Sequence, residues 1–477
     1  MLQPEHAQNG TIPSSVLNSG QPKTSRSARS FALPKAGVDT LEVRVLWRTM
    51  MRQSPAVWAI VLYVFFEYVR PQSVWPTLDI LPYAQIFLFA ATGLVFLEGR
   101  VDLRSTSSLW SWIAAFSVVI VASSFNAVYP SEAWAYKEVW INWLMLMLIV
   151  GAGIRTRTEL ILLLVSWVLW NVKMSQYGAR AWVLNGFSAK AVGVSGGPGW
   201  FRNSGEFGIE MCVFLPFVAY LAFGLWPKLT KVRRLAVAGI VFSALISIVV
   251  GSSRGAFLGM LVVAVWAIAL SPHRVRTGAI ALSLAALTWI ILPQRTKERL
   301  SQAGEDGDSV ARLTYWKHGI EILNDYPVLG IGYNNWIRYY HSRYNPNGEL
   351  PHNYLVECGS ELGYVGLFVF GGVMVCYFRQ NARVRRLTAK TGARPDRVLW
   401  ALAYGMDGAM VGFLASGFFV SVLWYPFIWM NIAISMALCR VAVSGPGHQV
   451  ASRVSQRIAN PSTQYLAKQP PINTATV

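Results

Sequence analysis

From about residue 56 to residue 440 the chain repeats one pattern, an apolar run of about 14 to 20 residues followed by a short polar break. As a helix such a run is long enough, or nearly so, to cross roughly 30 Å of hydrocarbon, where the backbone must satisfy its own polar groups. The expected fold class is therefore all-α, a polytopic integral membrane protein of about 12 transmembrane helices. The runs lie near 56–70, 78–97, 109–128, 139–153, 159–174, 207–226, 235–251, 255–270, 278–292, 362–378, 399–418 and 422–440. The first, fourth and fifth are short for a crossing, so tilt, re-entry or wrong boundaries are open for them. No internal repeat or matched pair of broken helices is visible.

Composition agrees, because 54% of residues are apolar and only 14% charged, against roughly 25% charged in soluble domains. The core is the bilayer-embedded bundle itself, with membrane lipids as partners. The 20 Trp and 19 Tyr suit rings at the two interfaces, and 39 Gly suit close helix packing. A net charge of +19 raises nucleic acid as a partner, but the basic residues sit in short clusters between apolar runs, which excludes that reading. Cys212, Cys358, Cys376 and Cys439 have no metal or disulfide spacing and read as small buried hydrophobes. Residues 1–50 and 441–477 are polar and read as disordered tails, which divides the rest into a bundle over 51–206 and a second over 207–440 with a large loop at 293–361.

Lys and Arg fall in every second loop, which places both termini in the cytoplasm by the positive-inside rule. Arg44, Arg48 and Arg52 precede the first span; Arg100 and Arg104, Arg155 and Arg157, Lys228 to Arg234, and Arg274 and Arg276 follow alternate ones. Against that pattern, the tight extracytoplasmic connection "VVGSSRGAFLG" carries Arg254. A structural arginine bonded to loop carbonyls is one reading. The sharper one is an anion site, in which Ser252, Ser253 and Gly255 let a planar guanidinium approach phosphate oxygens two at a time. Arg202, in "GGPGWFRNSGEFGIE", enters the sixth span from the same side.

The large loop shares that side. Within it, Leu313, Trp316, Ile320 and Leu323 form a helical stripe expected to pack on the bundle top, and Pro327, Gly330 and Gly332 end the helix in a turn. Arg312, Lys317 and Arg338 add positive charge, for each of which a solvated face is an equal reading. His352 then stands just ahead of an apolar helix, in "ELPHNYLVECGSELGYVG". Asp407 lies inside the eleventh span without a partner visible in sequence.

Together, "GSSRGAFLG", "ARLTYWKHGIEILNDYPVLGIGYNNW" and "PHNYLVECGSELGYVG" resemble the O-antigen ligase and O-antigen polymerase superfamily of bacterial envelope glycan transferases, with its His-x10-Gly pattern at His352 and Gly363. The resemblance covers roughly residues 200–380; the earlier spans match only in hydropathy. It implies an inner-membrane enzyme of surface polysaccharide biosynthesis whose site faces the periplasm. The implied donor is an undecaprenyl-diphosphate-linked glycan, and the acceptor a hydroxyl of lipid A core, a glycan or a protein. Arg254 and His352 are the expected catalytic residues, as diphosphate stabiliser and general base. Arg202, Arg312, Asn353, Tyr354, Glu357 and Glu361 are expected to bind substrate, Glu357 and Glu361 alternatively to orient His352. No cofactor is expected, and no metal, because arginines supply the charge. Two other classes stay open: a flippase or transporter of lipid-linked glycans, and a non-catalytic envelope assembly partner.

Overall fold

The computed structural model describes residues 37–101, 108–187, 196, 199–201, 203–271, 273–292, 294–301 and 307–444. Most of the expected tails, 1–36 and 445–477, lies outside the described residues. Inside the first 50, Val38–Thr40 and Val43–Met50 are helical, so the tail expected over 1–50 is shorter than its composition suggests. The Asp39 carboxylate fixes that segment by taking Arg157 at 2.7 Å and Lys228 beside it.

Among the described residues all regular structure is helical. The bundle consists of α1 (Pro55–Tyr68), α2 (Tyr83–Leu97), α3 (Leu109–Phe125), α4 (Pro130–Ala152), α5 (Arg157–Leu184), α6 (Ser204–Leu225), α7 (Lys231–Gly251), α8 (Arg254–Leu270) and α9 (Arg274–Ile291). The large loop adds α10 (Gly307–Asp325) and α11 (Trp336–Arg343). The chain then returns as α12 (Tyr354–Thr388), α13 (Arg397–Ser416) and α14 (Pro426–Ser444). Seven of these, α4 to α7 and α12 to α14, are long and apolar enough to cross a membrane, and α2, α3 and α8 are shorter apolar helices. The two remaining expected spans are α1 and α9.

The fourth and fifth runs were short only because hydropathy hides their ends. The aromatic and polar start "PSEAWAYKEVW" begins α4 at Pro130, and α5 continues past Asn171 and Lys173 to Leu184. Its N-terminus is fixed by a capping box between Thr156 and Glu159. The centre of the bundle is α6 against α13, where glycines let the backbones meet. A Cβ on Gly412 would stand 2.7 Å from the Cys212 carbonyl oxygen, and one on Gly224 3.0 Å from the Val398 Cα. Asp407, in α13, finds its partners on α12, accepting from Asn381 at 2.8 Å and pairing with Arg385. All four cysteines are buried.

Alternate loops gather at opposite ends. At one end Arg157 reaches Asp396 at 2.5 Å and Arg100 reaches Glu159 at 3.1 Å, so the loops rich in Lys and Arg touch one another. At the other end the Val128 N–H donates to Ile331, Trp200 to Glu67, and Arg254 to Ser309.

The large loop is locked to α12 through glycine. α12 kinks at Gly363, whose φ of 68° and ψ of −169° suit only glycine, and a Cβ there would sit 2.3 Å from the Val328 carbonyl oxygen. Gly330, at φ 66°, approaches the Glu361 carbonyl equally closely, and the Ile331 N–H donates to Ser360 at 2.8 Å. The His-x10-Gly spacing thus ends on a backbone contact. The expected stripe on α10 is corrected in part: Leu313 and Ile320 are 55% and 56% exposed, while Gly319 and Ile322 are buried. A Cβ on Gly319 would lie 2.2 Å from Val356, so the packing face is centred on a residue that an apolar pattern cannot register.

Candidate functional site

The chain enters α12 through Glu349–Asn353. His352 is held at φ 51°, in the left-handed region that costs an L residue roughly 1–2 kcal/mol. Its N–H is fastened by the Ser421 Oγ at 2.9 Å. Its Nε2 lies 3.1 Å from Glu349 Oε2. Burial pushes the imidazole pKa below its ordinary value; the Glu349 carboxylate opposes this, and Arg312 pushes it down further. Asn353 is the helix cap, its Oδ1 accepting from the N–H groups of Leu355 at 2.8 Å and Val356 at 3.3 Å. Tyr354 is 5% exposed and packs between Phe370 and Phe413. Both were expected to bind substrate; in the structure Asn353 caps α12 and Tyr354 packs at the start of that helix.

Arg254 begins α8 after the N-cap Ser253, and Ser252 before it, at φ 50°, ends α7 in a left-handed cap. This turn points the arginine at the large loop, where its Nη1 lies 3.3 Å from Ser309 Oγ. The small neighbours serve helix packing: a Cβ on Gly255 would stand 3.0 Å from the Ser416 carbonyl, and Gly208 abuts Ser253 and Ala256. Ser309 is one turn ahead of Arg312 on α10. The same helix carries Trp316, whose Nε1 donates to the Pro351 carbonyl at 2.9 Å, and Tyr315, whose ring centre is 6.4 Å from that of His352. The first turns of α10 therefore bridge Arg254 to His352. Arg202 lies outside the described residues.

Beneath this rim is a cavity of about 480 Å³. Leu350 and Ser421 line it from the His352 side, and Glu357 and Glu361 from α12. The carboxylates are 4% and 2% exposed and occupy one helix face. Glu361 is fully engaged, accepting from the Trp336 N–H at 3.2 Å and the Trp424 Nε1 at 3.3 Å. Glu357 Oε2, among the described residues, has no hydrogen-bond partner. Neither carboxylate orients His352; Glu349 does.

Several lining residues escaped the sequence reading. Trp424 and Tyr425 sit in the break before α14 and looked like interfacial aromatics, and Arg338, which lines the cavity with His341, looked solvated. Glu349 stood in the quoted motif with no role attached. A carboxylate three residues before His352 was the available signal. Among the described residues no cluster of three metal-ligating side chains occurs.

Residues 213–371 match the family model described as O-antigen ligase. The match supports the O-antigen ligase and polymerase superfamily, a glycosyltransferase or ligase type of enzyme, and a role in surface polysaccharide biosynthesis. It contains Arg254, Arg312, His352, Glu357 and Glu361, and stops short of Trp424 and Tyr425. No curated protein matches the chain.

Proposed function

We propose that the protein transfers a glycan from an undecaprenyl-diphosphate carrier to an acceptor hydroxyl, as ligase or polymerase, at the extracytoplasmic face of the bacterial inner membrane. The observation that carries this reading is the convergence of Arg254, Arg312 and His352 through the first turns of α10, beside a cavity walled by Glu357, Glu361 and Arg338.

With the Nε2 hydrogen donated to Glu349, His352 Nδ1 holds the lone pair. Its lowered pKa keeps the ring neutral near pH 7, so Nδ1 takes the acceptor proton as the acceptor oxygen bonds to the anomeric carbon. The bond from that carbon to the diphosphate oxygen breaks, and the electron pair leaves with the polyprenyl diphosphate. Arg254 and Arg312, joined by Arg202, stabilise the charge that grows there, so no metal is needed. Lipid A core, a growing glycan and a protein hydroxyl all fit as acceptors.

The unpartnered Oε2 of Glu357 favours a second reading of the base, with Glu357 taking the acceptor proton inside the cavity. The test of the function is transfer by purified protein in nanodiscs from a polyprenyl-diphosphate glycan, with one polyprenyl diphosphate released per bond formed and no loss in EDTA. Transfer that requires a nucleotide sugar, or a divalent cation, overturns it. Orientation is checked by single cysteines against the buried native ones: Asn347→Cys labels from outside spheroplasts and Lys390→Cys does not.

A further inference from the structure

A second cavity, of about 180 Å³, lies between α1, α2, α4 and the turn at Trp200. It is outside the matched segment, and nothing in the proposed chemistry uses it. Two walls join it to the larger cavity. Trp200 and Val139 line both. Trp143, which lines the smaller one, donates its Nε1 to the Trp424 carbonyl at 2.8 Å, and the Trp200 ring meets Tyr425 edge-on at 4.9 Å.

The lining is selective in its chemistry. Glu67 and Arg70 are paired at 3.2 Å, and Trp200 Nε1 donates to the same Glu67 oxygen at 2.6 Å. The two charges that line the cavity cancel, so it is a poor match for a diphosphate. Arg70 is held at φ 46°, a strained conformation for a residue with a side chain, and Gly199 at φ 95° brings the Trp200 turn against its guanidinium. Asn142, half-buried, and Gln85, exposed, bring their amides to the cavity lining. Amides and the Glu67–Arg70 pair set beside the aromatic residues Tyr63, Trp143 and Trp200 suit a ligand that is hydroxylated at its edges and apolar on its ring faces. The volume, that of about six waters, is below the usual range for whole ligands of roughly 300–1,000 Å³. It holds one ring.

We infer that this cavity is a glycan subsite, binding one neutral sugar unit of the chain whose reacting end occupies the larger cavity. It gives the N-terminal bundle a share in choosing the glycan. The inference rests on the proposed glycan transfer.

The test is direct binding to the full-length protein in nanodiscs. The probe is the soluble oligosaccharide freed by mild acid from the host's lipid-linked glycan, with inorganic pyrophosphate as the contrasting probe. Asn142→Leu combined with Gln85→Leu should weaken oligosaccharide binding about tenfold, as expected for two lost hydrogen bonds, and leave pyrophosphate binding as it is. Each variant is checked for monodispersity, and Asn142→Gln, which keeps the amide, should retain most of the affinity. Equal oligosaccharide binding by the parent and the double variant overturns the inference, as does loss of pyrophosphate binding in its place. If the double variant loses oligosaccharide binding while no condition yields transfer, the subsite stands and the transfer reading falls.

Discussion

The rim around His352 and the cavity beneath it are neighbours built in opposite ways. Arg254, Arg312 and His352 come from three separate stretches of chain and meet as partly exposed side chains; Glu357 and Glu361 come from one face of one helix and are buried. The rim is held largely through side chains, among them Arg254 to Ser309 and His352 to Glu349. The cavity wall is held by backbone, through the interlock of Gly330 and Gly363. In the proposed mechanism the rim supplies the groups that exchange a proton and grip the leaving group, and the cavity supplies buried carboxylates that can meet hydroxyls. The rim is thus suited to reaction and the cavity to recognition. Glu357 is the exception that tests this division, because it is buried yet keeps one oxygen unbonded.

The hardest blow to this comparison falls on His352. His352→Asn is the cleanest substitution, since Asn tolerates the left-handed conformation at φ 51° and keeps a hydrogen-bonding edge without a titratable ring. Turnover should fall roughly 100- to 10,000-fold, the range typical of a lost general base, with donor affinity held. Rates and donor binding measured side by side decide it. A variant that turns over normally moves the base to Glu357 and reverses the roles of rim and cavity.

Next in size is Arg254→Lys. Charge is kept and the planar fork is lost, so transfer should drop about 100-fold, comparable to removal of one preorganised donor to a developing anion. Near-parental transfer by the lysine variant would show that a point charge suffices. Smaller again is the pair in the cavity. Glu357→Gln should cost about tenfold in kcat/KM, through weaker binding of the acceptor. Glu361→Gln should show first as a lower melting temperature, because both Glu361 oxygens hold Trp336 and Trp424 in place. A Glu357→Gln loss as deep as that of His352→Asn breaks the division of labour.

How much of this was readable from the chain differs between the two regions. Membrane character, loop alternation, Arg254, His352 and the spacing of Glu357 and Glu361 were visible, because hydropathy and helical periodicity are local. Trp200, Arg338, Trp424 and Tyr425 were not, since each reaches the cavity from a different connection and looks interfacial in its own context. The short runs at 139–153 and 159–174 misled for a related reason: α4 starts in a polar aromatic stretch, and α5 carries Asn171 and Lys173 inside the bundle. The packing face of α10 was hidden by Gly319, where the contact depends on an absent side chain. The cap at Asn353 and the packing of Tyr354 were not legible, because a cap and a core tyrosine are spelled with the same residues as a sugar site.

The smallest effect is the most specific to the rim. In the proposed mechanism His352 takes the proton as a neutral ring, so activity should fall as pH drops through its pKa, which burial has pushed below the ordinary value, with Glu349 and Asp308 opposing and Arg312 adding to the shift. Removing the Arg312 charge leaves burial and the two carboxylates, so the pKa rises and the acid limb of the normalised pH–rate profile moves to higher pH. Arg312→Gln should show that displacement, and Arg312→Lys, which keeps the charge, should leave the limb where it is. His352→Asn should remove the limb from whatever residual rate it has. A limb that survives that substitution belongs to another group, with Glu357 the first to examine; a limb that ignores Arg312→Gln means that the α10 bridge brings arginine and histidine together without coupling them.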